Sequence, residues 1–192
     1  MSIDRPRVAT GHLVRDILLD LACAVRSDAR VLITGDRRPG KKEIAETIHR
    51  GSRRAARRFV SVDCAGTTDG LLEWKLFGRA RAGVPGPDRD TRGLLEQADG
   101  GTIFLANIGA VGPTLQARLA RFLENGQIRR AGADQAHTAV DVRVISSADR
   151  DLFPEVEGGR FSADLYYRLN VMQLLIPEAQ RTFDPPVSVP ER

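Results

Sequence analysis

A three-layer α/β sandwich, with helices on both faces of a mainly parallel sheet, is the fold class this sequence predicts. Short β-branched runs alternate along the chain with stretches of helical periodicity. The first such run passes through a glycine-punctuated turn into a helix, the order that a right-handed parallel crossover requires. At 192 residues the chain can bury one sizeable core and leaves little for a second.

The elements follow in order. Leu13, Ile17, Leu18, Leu21 and Val25 fall at helical spacing and predict an amphipathic helix over 13–26, ahead of the first strand. Arg30-Val31-Leu32-Ile33-Thr34 is a short apolar run ending at Gly35, and 41–50 again reads as helix. Phe59-Val60-Ser61-Val62-Asp63 is the second strand, and 69–77 is a helix with Leu71, Leu72, Leu76 and Phe77 on its apolar side. Residues 79–92 carry Pro85-Gly86-Pro87 and no periodicity, which predicts an exposed loop. Thr102-Ile103-Phe104-Leu105-Ala106 is the third strand, 113–123 a helix closed by Asn125-Gly126, and 140–146 the fourth strand. A last helix over 163–170 and a strand over 171–176 complete one domain, residues 1–180. The proline-rich tail 181–192 is expected to be disordered.

Composition narrows the function classes. Apolar residues make up 42% and charged residues 28%, the balance of a globular protein, and no apolar run approaches the ~20 residues of a membrane helix. Met1 to Arg5 has no apolar stretch behind it, so cytoplasm is the expected compartment. Cys23 and Cys64 sit in no CxxC or Cys/His spacing and are expected as small buried hydrophobes. The net charge of +4 comes from arginines spread along the chain, with no recognisable nucleic-acid motif, which argues against direct DNA binding. Arg50-Gly51-Ser52-Arg53-Arg54 with Arg57-Arg58 reads as a solvated helix end. His12, His49 and His137 lack ligand or triad spacing, and Trp74 is expected to pack on the adjoining helix.

The chemistry sits between the first strand and the next helix. Gly35-Asp36-Arg37-Arg38-Pro39-Gly40-Lys41-Lys42 has the G-x-x-x-x-G-K spacing in the strand–loop–helix context of a phosphate-binding loop. First-turn amides and the positive helix end would face an anion, and Lys41 would reach its terminal phosphates. Two residues weaken the cradle: Pro39 has no N–H to offer, and Arg38 stands where glycine would permit left-handed backbone. A strained residue there costs ~1–2 kcal/mol, about a tenfold loss of affinity. Weak ATP or ADP binding is the expectation, with an ordinary strand-to-helix turn as the alternative.

Over 8–177 the chain resembles the central AAA+ ATPase domain of sigma-54-dependent enhancer-binding activators. Val31-Leu32-Ile33-Thr34-Gly35 with Lys41 is similar to the family's Walker A region, and Glu73-Trp74-Lys75-Leu76-Phe77-Gly78 to its SELFG segment. Ala98-Asp99-Gly100-Gly101-Thr102-Ile103-Phe104-Leu105 resembles ADGGTLFL; Asp141–Ile145 and Asp164–Val171 resemble its last two signatures. The resemblance implies a P-loop NTPase core, ATP as ligand, assembly into oligomers and contact with sigma-54 RNA polymerase. It ends near Gln180, so the family's helical lid is expected to be absent.

Several departures bear on that implication. The family's Walker B Asp-Glu, which hold magnesium and polarise water, correspond to Ala106 and Asn107, so magnesium binding and autonomous hydrolysis are not expected. The sensor asparagine corresponds to Asp149, and the asparagine that restrains the catalytic glutamate to Asp63. Ser162 stands at one arginine-finger position, whereas Arg168 keeps the other and could act in trans. The sigma-54-contacting GAFTGA corresponds to Ala82-Gly83-Val84-Pro85-Gly86-Pro87, without its aromatic ring and hydroxyl. Together these predict a transcription-regulating pseudo-ATPase that assembles with itself or with intact AAA+ paralogues. An interaction module that binds no nucleotide, or the remnant of a split activator, is the other reading.

Overall fold

The computed structural model describes residues 10–35, 40–79, 91–130 and 137–176. In chain order the elements are α1 (Thr10–Arg26), β1 (Val31–Gly35), α2 (Lys41–Gly51), β2 (Phe59–Asp63), α3 (Asp69–Phe77), β3 (Gly78–Arg79), β4 (Thr91–Arg92), α4 (Leu94–Gln97) and β5 (Thr102–Ala106). A 3-10 turn at Ile108–Ala110 leads to α5 (Pro113–Asn125), β6 (Gln127–Arg129), β7 (His137–Ala139), β8 (Arg143–Ala148), α6 (Phe153–Glu157), α7 (Ala163–Leu169) and β9 (Met172–Ile176).

The main sheet has five parallel strands in the order β2-β5-β8-β1-β9. Its central strands β1, β5 and β8 are buried almost throughout, as expected of parallel strands covered on both faces. On one face Leu32, Ile103, Leu105 and Val144 pack with Leu72, Leu76, Leu115, Leu119 and Leu165 from α3, α5 and α7. On the other, Val31, Ile33, Phe104, Ile145 and Leu174 pack with Ala24, Ala45 and Ile48 from α1 and α2. Alternate residues of one strand thus serve opposite layers, and the expected three-layer α/β architecture is the observed one.

Local differences from the sequence expectations have identifiable causes. The fourth strand is Arg143–Ala148 and not 140–146. Val140 N–H donates to the Gly126 carbonyl, Asp141 N–H donates to Asp99, and the Asp141 carbonyl accepts from Gly100, so this stretch serves loop contacts before the ladder begins. Residues 79–92 are not loop throughout, because β3 and β4 close their two ends as a short antiparallel ladder. Residues 80–90, including the GAFTGA-like segment, and the tail beyond 176 lie outside the described residues. The β6–β7 hairpin was not legible, since each strand is three residues long with a single buried side chain between them. Leu18 and Leu71 are 60% and 45% exposed despite their helical spacing, and Cys23 is exposed while Cys64 is buried. Burial pushes the Cys64 thiol up to about 12, which leaves it inert as a nucleophile near neutral pH. Trp74 is half exposed, with the Arg79 guanidinium 5.0 Å from its ring. Among the described residues no helix is long and apolar enough to cross a membrane.

Candidate functional site

In an open parallel sheet, ligands bind beyond the carboxyl ends of the strands, where the turns leave a crevice. Here those ends are Gly35, Asp63, Ala106, Ala148 and Ile176. Gly35 and Gly40, the two ends of the phosphate loop, have φ of 143° and 133°, a region that side chains other than hydrogen rarely enter. Gly35 is constrained a second time, since a Cβ there would lie 2.3 Å from the Ile176 carbonyl oxygen of β9. Asp36, Arg37, Arg38 and Pro39, for which a weakened cradle is expected, lie outside the described residues.

Gly40 leads directly into α2, and the two lysines that follow diverge. Lys42 is exposed and lies 4.0 Å from Glu46 one turn along the helix. Lys41 is buried, with 7% of its surface exposed, and its Nζ donates to Asp149 Oδ1 at 2.5 Å. A lysine this buried requires a compensating charge, and the carboxylate just past β8 supplies it. Sequence reading placed Lys41 and Asp149 in separate roles; the sheet brings them together because β1 and β8 are adjacent and parallel.

A second polar pair occupies the tips of β2 and β5, whose register sets Asp63 opposite Ala106. The Asn107 amide donates to Asp63 Oδ1 at 2.8 Å, and the same oxygen accepts the Ala65 N–H at 2.9 Å. Asn107 holds a left-handed conformation with φ of 56°, one of the few that asparagine tolerates, and this turns its side chain toward β2. The resemblance read from the sequence implies a carboxylate after β5 against an amide at the end of β2; the structure holds the amide of Asn107 after β5 and the carboxylate of Asp63 on β2, hydrogen-bonded to each other. Only the pairing of β2 with β5 brings the two residues together as partners. The β5 tip therefore presents a divalent ion with a methyl group and an amide already committed to Asp63. Among the described residues no cluster of three or more His, Cys, Asp and Glu is placed to hold a metal ion.

Between these pairs opens a cavity of about 690 Å³ lined by Ala65, Asn107, Ala148, Asp149, Arg150 and Glu155. Arg150 and Arg160 flank Glu155 at 3.0 and 2.5 Å, and the Arg160 hydrogen bond holds its carboxyl below the usual glutamate range. Away from this crevice, Arg168 donates to Asp164 at 2.7 Å and approaches Glu124 at 3.4 Å, so its guanidinium is engaged within its own chain. Ser162, at the other finger position, serves as N-cap of α7 by accepting the Leu165 N–H at 3.4 Å.

Arg54 and His49 take structural positions. Arg54 bridges Asp28 and Asp141 and donates to the Gly101 and Asp141 carbonyls, so this part of the expected solvated helix end is tied down. His49 packs against Phe59 and hydrogen-bonds Thr102 at 2.9 Å; burial lowers its pKa from the ordinary 6.5.

Comparison with known proteins agrees with this architecture. The sigma-54 interaction domain family matches residues 8–175. The transcriptional regulatory protein ZraR of Escherichia coli K12 is 41% identical over 181 residues, which cover 94% of this chain and 41% of that protein. The Nif-specific regulatory protein of Azotobacter vinelandii is 41% identical over 182 residues, covering 93% of this chain and 35% of that one. The chain thus spans well under half the length of these relatives. Among solved structures, NtrX from Brucella abortus in complex with ADP superposes with a TM-score of 0.77 at 31% identity, over 90% of this chain and 37% of that one. The P-loop NTPase domain of the sigma-54 transport activator from E. coli, at 17% identity, shares the fold with a TM-score of 0.61 over 90% of this chain and 99% of that one. By the glycines that frame its strand-to-helix connection, its parallel sheet and these matches, this chain belongs to the sigma-54 interaction domain family.

Proposed function

We propose that this domain is a transcription-regulating pseudo-ATPase: it binds adenine nucleotide weakly, does not hydrolyse it alone, and acts through assembly with itself or with intact members of its family. One observation carries this reading. The Gly35–Lys41 frame of a phosphate site persists, while the adjoining strand tips present Ala106 and Asn107 where hydrolysis needs acidic groups. NtrX, which this chain resembles, has been solved with ADP and with ATP, in support of nucleotide as ligand. The pocket lacks a carboxylate at the β5 tip to hold magnesium, so binding should be insensitive to that ion. The loss of a general base alone lowers turnover ~10²–10⁴-fold.

Titration calorimetry with ATP and ADP, with and without magnesium, tests the reading alongside phosphate-release assays. Binding weaker than micromolar, unaffected by magnesium and abolished by Lys41→Ala, is expected, with phosphate release at background. Steady release by homogeneous protein would overturn it. Contact with sigma-54 RNA polymerase and membership of a mixed oligomer belong to the same proposal. In a mixed assembly Arg168 would have to leave Asp164 and Glu124 to serve a neighbour's site, so Arg168→Ala should lower the partner's ATPase rate.

A further inference from the structure

We infer that the cavity lined by α3, α5 and the β6–β7 hairpin is a binding site for a phosphate dianion, carried by a small phosphomonoester or free in solution. It holds about 390 Å³ and shares no lining residue with the crevice at the strand ends. Sequence spacing builds one wall: Arg118, Arg121, Phe122 and Asn125 fall three or four residues apart on α5 and so share a helix face. The hairpin supplies another, with Arg129 opposite His137 in its register.

The walls are already fastened to one another. Arg118 places its guanidinium carbon 4.2 Å from the Phe77 ring centre, pairs with Glu73 of α3 and donates to the Arg129 carbonyl, and so joins α3, α5 and β6. Arg130 donates to Glu96 of α4 at 2.8 Å. With Glu73 and Glu96 thus engaged, the guanidinium groups of Arg121 and Arg129 have no carboxylate within ion-pairing distance among the described residues. Burial first, and then the charge of Arg129, hold the Arg118 guanidinium below its ordinary range, so the cations crowd one another. An anion placed among them relieves that repulsion. Two uncompensated guanidinium groups call for two negative charges, and the planar guanidinium fork pairs bidentately with phosphate oxygens. The concave shape and the volume suit a compact ligand, whereas a DNA duplex is held across an extended surface.

Titrations of the full chain, followed by the arginine Nε–Hε resonances at constant ionic strength, test this. Inorganic phosphate, glycerol 3-phosphate, succinate and a short DNA duplex are the probes. Circular dichroism confirms that each variant folds, and two separate arginine replacements guard against one that does not. Saturable binding of phosphate is expected, weakened about tenfold or more by Arg121→Ala and by Arg129→Ala. Tighter binding of glycerol 3-phosphate than of inorganic phosphate would identify the ester as the ligand, and equal binding the free anion. Succinate separates its two charges and should bind more weakly than either. Shifts that do not saturate, succinate binding as tightly as the phosphates, or binding of the duplex alone would each overturn the inference. So would phosphate binding that survives both arginine replacements and disappears with Lys41→Ala, since the anion would then lie at the strand-to-helix loop.

Discussion

The two ends of the central sheet, its amino-terminal and carboxyl-terminal edges, use charged and polar side chains differently. At the amino-terminal edge, polar side chains bind backbone. Arg54 donates to the carbonyls of Gly101 and Asp141 while bridging two aspartates, and Arg143, buried at the first position of β8, donates to the Ala24 and Ala29 carbonyls. At the carboxyl-terminal edge, the central contacts run from side chain to side chain: Lys41 with Asp149 and Asn107 with Asp63. Backbone acceptors are part of the fold and cannot be exchanged without rebuilding it. Side-chain pairs can be rewritten one residue at a time without disturbing the scaffold.

The difference can be broken most severely at the carboxyl edge. Restoring acidic groups with Ala106→Asp and Asn107→Glu, together with Asp63→Asn, should raise phosphate release at least ~10²-fold if the scaffold alone has been preserved. A malachite-green assay reads this directly, and no gain would mean that the defect lies elsewhere in the pocket. At the amino edge, Arg54→Ala should cost about 1 kcal/mol in urea denaturation, mainly through the Gly101 carbonyl it leaves unpaired, since water can take up the exposed carboxylates of Asp28 and Asp141. The Arg54 hydrogen bond holds the Asp28 carboxyl below its ordinary 3.8. Its contribution is therefore present above that value and lost as pH falls through the lower folded value, an acid sensitivity that Arg54→Ala should reduce.

His49 offers a smaller effect of the same kind. Its pKa is lowered in the fold, so the unfolded chain binds the proton more readily. Stability should be full above pH 6.5 and decline as pH falls from there toward the folded value; His49→Gln should flatten that slope in a melting series across pH 5–7. The smallest effect is expected for Lys41→Ala, under about 0.5 kcal/mol, since the Asp149 carboxylate it leaves behind is about one-third exposed and can be taken up by water. A stability loss matching that of Arg54→Ala would erase the distinction between the edges.

Much of this molecule was legible from periodicity. The runs at Val31–Gly35, Phe59–Asp63 and Thr102–Ala106 are strands within a residue of the expected bounds, and Gly126, in the left-handed conformation, closes α5 where Asn125-Gly126 predicted a cap. Periodicity misled where an apolar residue had no layer to pack against, as at Leu18 and Leu71. It misled again where Asp141 was captured by Arg54 and Asp99 before β8 could begin.

By itself the sequence determined the layered fold, the glycine–lysine frame of the phosphate site, and the absence of acidic residues after the third strand of the alternating pattern. These are properties of neighbouring residues, and local spacing records them. Only the tertiary structure decided that Asp63 and Asn107 form one hydrogen-bonded pair and that Asp149 pairs with Lys41. Those partners lie 44 and 108 residues apart, and what joins them is the order of parallel strands in the sheet, which no local period encodes.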